Sequence, residues 1–187
     1  MNNKIYFRYL LNESSCLFID NTPNKEKTVN IIIANNVIKN LCLHLRLSTV
    51  FYSIQLVDMF SYELPMNNFN SDGRNLKDLS NLTVYNFHSL YNQDRIFVFV
   101  VNDQFGSTDA GIDSINELFS SSNWLEREIS ELHGLTFVGK KDLRNLMLQY
   151  GDTTSPFQKS FPSVGLKEMY FDPIKDTLVQ NPVTLQI

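Results

Sequence analysis

Six consecutive apolar residues, Ile96-Phe97-Val98-Phe99-Val100-Val101, set the tightest limit on what this chain can become. The run has the length of a strand, and its Val and Phe content favours extended backbone. Successive side chains of a strand point to opposite faces, so a run that is apolar at every position predicts a central strand covered on both sides. The fold must therefore supply a sheet with other layers against it.

Periodicity and turn chemistry give the elements around that strand. Leu82 to Ser89 and Arg95 to Val101 are separated by the turn residues Asn92-Gln93-Asp94, which predicts an antiparallel hairpin. Val29 to Ala34 predicts another strand, and Ile38, Leu41, Cys42 and Leu45 mark one face of a helix. Tyr52, Ile54 and Leu56 alternate with Ser53 and Gln55, the pattern of a half-buried strand. Ile112, Ile115, Leu118 and Phe119 return to helical spacing and predict a second helix. A third follows, with Asn123 and Glu126 fitting a capping box worth ~1 kcal/mol. Gly134 ends it at C′, and Trp124, Leu125, Ile129 and Leu132 form its expected core face. The order predicts an α+β fold, a two-layer domain with a mainly antiparallel sheet and helices.

The expected organisation is an N-terminal arm over residues 1–28, with a turn at Thr22-Pro23-Asn24-Lys25, a core domain over 29–150 and an extended C-terminal tail over 151–187. Within the core, 65–81 is aperiodic and polar and predicts a surface loop. The tail is punctuated by Pro156, Pro162, Pro173 and Pro182 and broken by Gly151 and Gly165, so it cannot form a long helix. It nevertheless carries Phe157, Phe161, Tyr170 and Phe171. Such a segment cannot bury those rings by itself and must wrap its own domain or another protein.

Composition narrows the function. The 187 residues are 43 % hydrophobic and 19 % charged, globular values for a chain able to bury roughly 70 % of its unfolded surface. A net charge of -4 leaves no basic excess for phosphates, which argues against nucleic acid. No stretch approaches the ~20 apolar residues of a membrane-spanning helix, so membrane association is expected only through other chains. Cys16 and Cys42 make no disulfide framework, and the first residues lack a secretory hydrophobic region. The heavy use of Asn, Ile, Phe, Tyr and Lys suits an AT-rich genome such as an organelle's.

Sites of chemistry are sparse. There is no Gly-x-Gly-x-x-Gly, no phosphate loop and no Cys-x-x-Cys. Cys42-Leu43-His44 lacks further ligands, and His44, His88 and His133 fall on different elements. Glu128 and Glu131 share a helix face and could act as acid and base, but a solvated face is the simpler reading. No catalytic, cofactor-binding or metal-ligating residue is expected. The cluster Glu126-Arg127-Glu128 sits near a helix N-terminus, where carboxylates favour the macrodipole. Its neighbours point in different directions, so one side can serve the helix while another reaches a partner, with Arg144 and Lys159 as expected counter-charges.

From this cluster onward the chain resembles a known family. Asn123-Trp124-Leu125-Glu126-Arg127-Glu128, then Glu131-Leu132, Gly134, Lys140, Asp142-Leu143-Arg144, Leu146 and Tyr150-Gly151 are similar in order and spacing to the signature of the 30-kDa-type subunit of respiratory complex I, which comprises the bacterial C type and the mitochondrial subunit 9 type. Pro156-Phe157, Lys159, Phe161-Pro162, Gly165, Glu168, Asp172 and Pro182 continue the pattern, with weaker likeness at Leu56-Val57-Asp58 and through Tyr85, Leu90, Asn92 and Arg95-Ile96. The likeness spans roughly 30–187 and is strongest over 122–172. The chain departs from the pattern in several places. Glu131-Leu132-His133-Gly134 stands for the family's Asp-Met-Phe-Gly, Asn145 replaces a second arginine, and Thr154-Ser155-Pro156-Phe157-Gln158-Lys159-Ser160 replaces a more charged stretch. Asn181 replaces a glutamate before Pro182. Charges are lost while prolines, glycines and aromatics persist, which implies a retained backbone path with altered ion pairs.

The resemblance implies a cofactor-free structural subunit of the peripheral arm of NADH:ubiquinone oxidoreductase. It would lie beside the 49-kDa-type subunit and other core subunits, on the matrix side of the mitochondrial inner membrane, and be organelle-encoded. FMN, iron–sulfur clusters and quinone would belong to the assembly. Trp124, Glu126, Arg127, Glu128, Arg144, Tyr150, Lys159, Phe161 and Pro162 are the expected interface or structural residues. The alternatives are the same subunit type in a photosynthetic complex I-like or hydrogenase-like complex, a stand-alone binding module, and a small hydrolase using Glu128 or His133.

Overall fold

A computed structural model of the chain describes residues 16–19, 28–49, 51, 53–64, 79–91, 93–103 and 111–184. The elements are β1 (Cys16–Ile19), β2 (Thr28–Ala34), a single 3-10 turn (Asn35–Val37) running into helix α1 (Ile38–Leu47), β3 (Ile54–Glu63), β4 (Leu79–Ser89) and β5 (Arg95–Asp103). They are followed by the two-residue β6 (Ile112–Asp113), helix α2 (Ser122–His133), the two-residue β7 (Phe137–Val138), β8 (Lys167–Asp172) and β9 (Thr177–Pro182). Strands β1 to β5 form one sheet in the order β1-β2-β5-β4-β3, so the apolar run does occupy the middle. Strand β2 pairs parallel with β5, and the other pairings in this sheet are antiparallel.

Both helices lie on one side of the sheet, which gives two layers. Val29, Ile31 and Ile33 of β2, Ile96, Val98 and Val100 of β5, and Tyr85 and Phe87 of β4 form a single buried cluster with Ile38, Leu41, Cys42 and Leu45 of α1 and Ile129 of α2. Each fully buried Val, Leu, Ile or Phe contributes about 1.5–3 kcal/mol relative to exposure. The period-3.6 face of α1 is the face it buries. Burial, and next the charge of Glu126, push the Cys42 thiol far above its ordinary value, so it is inert.

The expectation of full cover on both faces of β5 is corrected. Phe97, Phe99 and Val101 are only half-buried. On the same face Phe60 stands in register with Val84, itself opposite Phe99, and both Phe60 and Tyr62 are exposed. Among the described residues, no helix lies on that side.

Three further expectations change. Strand β4 starts at Leu79, so residues 79–81 leave the expected loop, and 65–78 lie outside the described residues. Part of the expected arm is strand β1, paired with β2, while the Thr22–Lys25 turn, Tyr52 and Asn92 lie outside the described residues. The helix expected over Ile112–Phe119 does not form. Ile112 and Ser114 donate their N–H groups to Thr136 O and Val138 O at 3.0 and 2.9 Å, which makes β6 pair parallel with β7, and only one turn follows, with Leu118 and Phe119 donating to Ile115 O. The helical spacing identified the buried side chains Ile112, Ile115 and Phe119 but not their backbone conformation.

Beyond Tyr150 the chain makes turns and then the antiparallel hairpin β8–β9, with Tyr170 opposite Val179 and Phe171 opposite Leu178. Among the described residues, no helix is long and apolar enough to cross a membrane.

Candidate functional site

Helix α2 turns an unusual set of residues inward: Ser122, Glu126, Ile129 and His133, one stripe at helical spacing that is mostly polar. A buried carboxylate is tolerable only when its lone pairs are filled. Glu126 Oε2 accepts from Lys140 Nζ at 3.1 Å and from Ser114 Oγ at 2.7 Å, while Oε1 accepts from the Ile115 N–H at 2.9 Å. Lys140 Nζ also donates to Asn123 O at 2.9 Å and to Asn123 Oδ1 at 3.1 Å. All three ammonium hydrogens are thus used, and both side chains of the pair are 0 % exposed. The network is closed and offers no free group to a substrate.

This arrangement overturns the expected capping box. The helix begins after Ser121, which makes no side-chain cap bond. Asn123 lies inside the helix and gives its oxygen to Lys140, and Glu126 faces the core instead of the helix start. The other end is as expected: Gly134 adopts φ 69° and ψ 24°, with its N–H bonded to Ser130 O. A Cβ at Gly134 would lie 2.8 Å from both Gln158 Nε2 and Ser155 Oγ. Gly134→Ala is therefore expected to lower stability by about 1–2 kcal/mol from backbone strain alone, with the contact to residues 155–158 adding to it. Urea denaturation of the purified chain checks this, and an unchanged midpoint would refute it.

On its outer side α2 holds the following loop at two more points. Arg127 donates from Nε to Arg144 O at 2.8 Å and from Nη2 to Asn145 O at 3.1 Å, and lies 3.7 Å from Asp142. Its guanidinium also sits 5.7 Å from the centre of the Trp124 ring. Glu131 accepts the backbone N–H groups of Leu146, Met147 and Leu148. Burial would raise the Glu131 carboxyl, but those three bonds and the charge of Arg127 together bring it below its ordinary value. Asn145 closes the loop by donating to Gln149 O and Asp152 O.

The expected counter-charges are corrected. Lys140, not Arg144 or Lys159, answers Glu126. Arg144 makes a two-pronged pair with Asp142, both bonds at 2.9 Å, and these bonds hold the Asp142 carboxyl far below the usual carboxylate range. Lys159 contributes its backbone N–H, which donates to Glu63 Oε2 at 2.7 Å, while its side chain is exposed. Trp124 is 61 % exposed and leaves the expected core face. Glu128 and Phe161 are half-buried, and Tyr150 and Pro162 are exposed. Of the residues singled out from sequence, Glu126 enters the buried set with Lys140, while Arg127, Arg144 and Trp124 meet in a second set on the outer side of α2. Ser114, Asn123 and Lys140 complete the first set, Asp142 completes the second, and Glu131 holds the loop beside it, roles that the sequence does not announce. Lys140 and Asp142 stand in the family signature, but nothing in a linear sequence says which acid a buried lysine will meet.

A cleft of about 280 Å³ lies between α2 and this loop, lined by Arg127, Glu131, Lys140, Arg144, Asp152 and Thr154 among others. Its charged groups are already committed: Asp152, for example, accepts from Thr154 Oγ1 at 2.8 Å. Among the described residues, no cluster of His, Cys, Asp or Glu could hold a metal ion. Large apolar side chains are exposed in this part of the chain, among them Trp124, Leu143, Met147 and Tyr150, and in the tail Phe157, Met169, Phe171, Ile174 and Leu178.

The family model described as "Respiratory-chain NADH dehydrogenase, 30 Kd subunit" matches residues 31–167, well over half of the chain. The chain belongs to this family. This 30-kDa-type chain is 38 % identical over 98 residues to the C-type subunit of NADH-quinone oxidoreductase from a Polaromonas species, a stretch covering 52 % of this chain and 46 % of that relative. It is 49 % identical over 70 residues to NADH-ubiquinone oxidoreductase subunit 9 of Paramecium primaurelia, covering 36 % of this chain and 34 % of the relative. The matched stretches span about half or less of the length of these curated relatives. Among solved structures, a chain of the membrane-bound sulfane sulfur reductase, an archaeal respiratory membrane complex, shares the fold with a TM-score of 0.62 over 88 % of each chain at 11 % identity.

Proposed function

We propose that this 30-kDa-type protein is a cofactor-free, non-catalytic core subunit of the peripheral, matrix-side arm of respiratory complex I. There it braces the quinone-reducing module beside the 49-kDa-type subunit and neighbouring cluster-bearing subunits. The observation that carries the reading is the number of large apolar side chains left exposed, among them Trp124, Tyr150, Phe171 and Leu178, with Ile174 92 % exposed at the tip of the hairpin. A free two-stranded hairpin is marginal in water, and so many large apolar side chains left exposed on and around it point to a protein partner. Obligate interfaces commonly bury ~2,000–5,000 Å² in total, and the tail is the part of the chain with area to give. The closed network around Glu126 and Lys140 supports a mechanical role, because it ties α2 to the segments at Ser114–Ile115 and Lys140. The likeness to a Paramecium subunit 9 named for ubiquinone, together with the AT-rich composition, supports a mitochondrial setting.

Electron transfer along a chain of clusters depends on fixed spacing, so a brace matters without touching an electron. A native gel stained for NADH oxidation tests the reading. The chain is expected in a very large, NADH-oxidising particle, with the segment after Gly151 cleaved rapidly by protease in the free chain and shielded in the particle. Equal cleavage in both states, or migration only as a free monomer, would overturn it.

A further inference from the structure

The tail leaves the folded domain through residues 155–159, and the attachment is narrow. Phe157 donates its N–H to Leu132 O at 3.0 Å, Gln158 Nε2 donates to His133 O at 3.1 Å, and Lys159 donates its N–H to Glu63 Oε2 at 2.7 Å. The Phe157 ring meets the His133 ring edge-on, centroids 5.4 Å apart at 76°. His133 is buried at this contact, and its Nδ1 has no hydrogen-bond partner. A neutral imidazole can leave one nitrogen idle at modest cost. An imidazolium carries N–H on both nitrogens, so a positive charge would be buried against a phenyl ring with no acceptor at Nδ1.

We propose that His133 is a pH-sensitive pin at the root of the tail: neutral, it seats Phe157 on the end of α2, and on gaining a proton it releases residues 155–159. The influences on it act in opposite senses, and burial prevails. Burial holds the imidazole below its ordinary value, and Glu63 of β3 pulls the other way without winning. From the tail, Phe157 and Gln158 are neutral and Lys159 presents its backbone. On its own helix, Glu131 is committed to the 146–148 amides. A group whose value is depressed in the folded state stabilises that state above its free value and loses the contribution as pH falls through the folded one. The pin therefore holds fully above the ordinary histidine value of 6.5 and weakens below it, by at most about tenfold per pH unit for one proton.

The inference concerns this chain alone and does not depend on the proposed assembly. Hydrogen exchange of the full chain at about pH 7.5 and about pH 5.5, corrected for intrinsic rates, reads it through the amides of Phe157 and Lys159 against those of β5. In the unaltered chain the tail-root amides are expected to lose protection at the lower pH, by at most about tenfold, while β5 keeps its own. His133→Phe, which keeps a ring but cannot titrate, is expected to hold them at both. Glu63→Gln keeps an acceptor for Lys159 but removes the charge that favours the imidazolium, so it should move the loss to lower pH. Equal protection at both pH values, or the same loss in His133→Phe, overturns the proposal. Should His133→Phe fail to fold, NMR titration of the unaltered chain decides: a His133 value below 6.5 that rises when Phe157 is truncated to Ala supports the pin, and any other result overturns it.

Discussion

Glu126→Leu is expected to remove about 3–5 kcal/mol of folding stability. The substitution strands the Lys140 ammonium in a site where its side chain is 0 % exposed. It also leaves the Ser114 hydroxyl and the Ile115 N–H without their acceptor, each loss worth about 1–3 kcal/mol when the group stays dry. Lys140→Met should cost a similar amount by leaving the carboxylate unpaired. The double variant should recover much of either loss, because a buried ion pair is worth far less against an apolar replacement than against one charge left alone. Recovery stops short of complete because the Ser114 and Ile115 donors remain orphaned. Urea denaturation of the three variants measures the effect. With a total stability of about 5–15 kcal/mol for a domain, either single change endangers the fold. A single-variant cost under about 1 kcal/mol would show that the pair is hydrated and the network is not the anchor described.

The second large effect is on assembly, with the fold left intact. Met169, Phe171 and Leu178 project from one face of the β8–β9 hairpin and are all exposed. Replacing all three with serine removes nothing from the buried core of the domain, so the urea midpoint should stay where it is. If that face docks on a neighbour, each side chain contributes about 1.5–3 kcal/mol of apolar burial. The combined loss would then lower affinity at least about a hundredfold, since every 1.4 kcal/mol is a factor of ten. The readout is the fraction of the chain migrating with the NADH-oxidising particle. Normal incorporation of a normally folded triple variant would remove the hairpin from the interface.

The contrast between α1 and the segment after Gly111 shows what a linear reading can and cannot reach. In α1 the apolar residues repeat at helical spacing and the neighbours are good helix formers, so periodicity and conformation agree, and the four residues of the stripe are the ones buried. Around Ile112 the same spacing recurs, but the backbone groups have better partners in Thr136, Val138 and the Glu126 carboxylate, all distant in sequence. Tertiary bonding decides there, and local pattern has no access to it. The same limit governs the site. Asn123 and Glu126 stand at capping distance, yet a lysine farther along supplies more than a cap could once both groups are buried. Trp124 shows the limit in reverse: once Ser122, Glu126, Ile129 and His133 form the inward stripe of α2, a residue two places from Ser122 and from Glu126 falls on the opposite side, and the ring is left in solvent. In the tail the prolines and glycines announce the lack of a long helix, but not the β8–β9 hairpin, whose pairing depends on turn geometry rather than on a periodic pattern.

The pairing of β2 with β5 bears on how the chain is made. Thr28 lies opposite Arg95 and Ala34 opposite Val101, and everything between, including α1 and two strands, must leave the ribosome before those partners can meet. Until then the nascent chain carries Val29, Ile31 and Ile33 without the central strand they pack beside. Pairings this distant in sequence fold slowly because loop-closure entropy is lost before any contact forms. The emerging polypeptide is thus a natural client for holding chaperones, and a synthesis rate matched to the arrival of β5 would favour its yield.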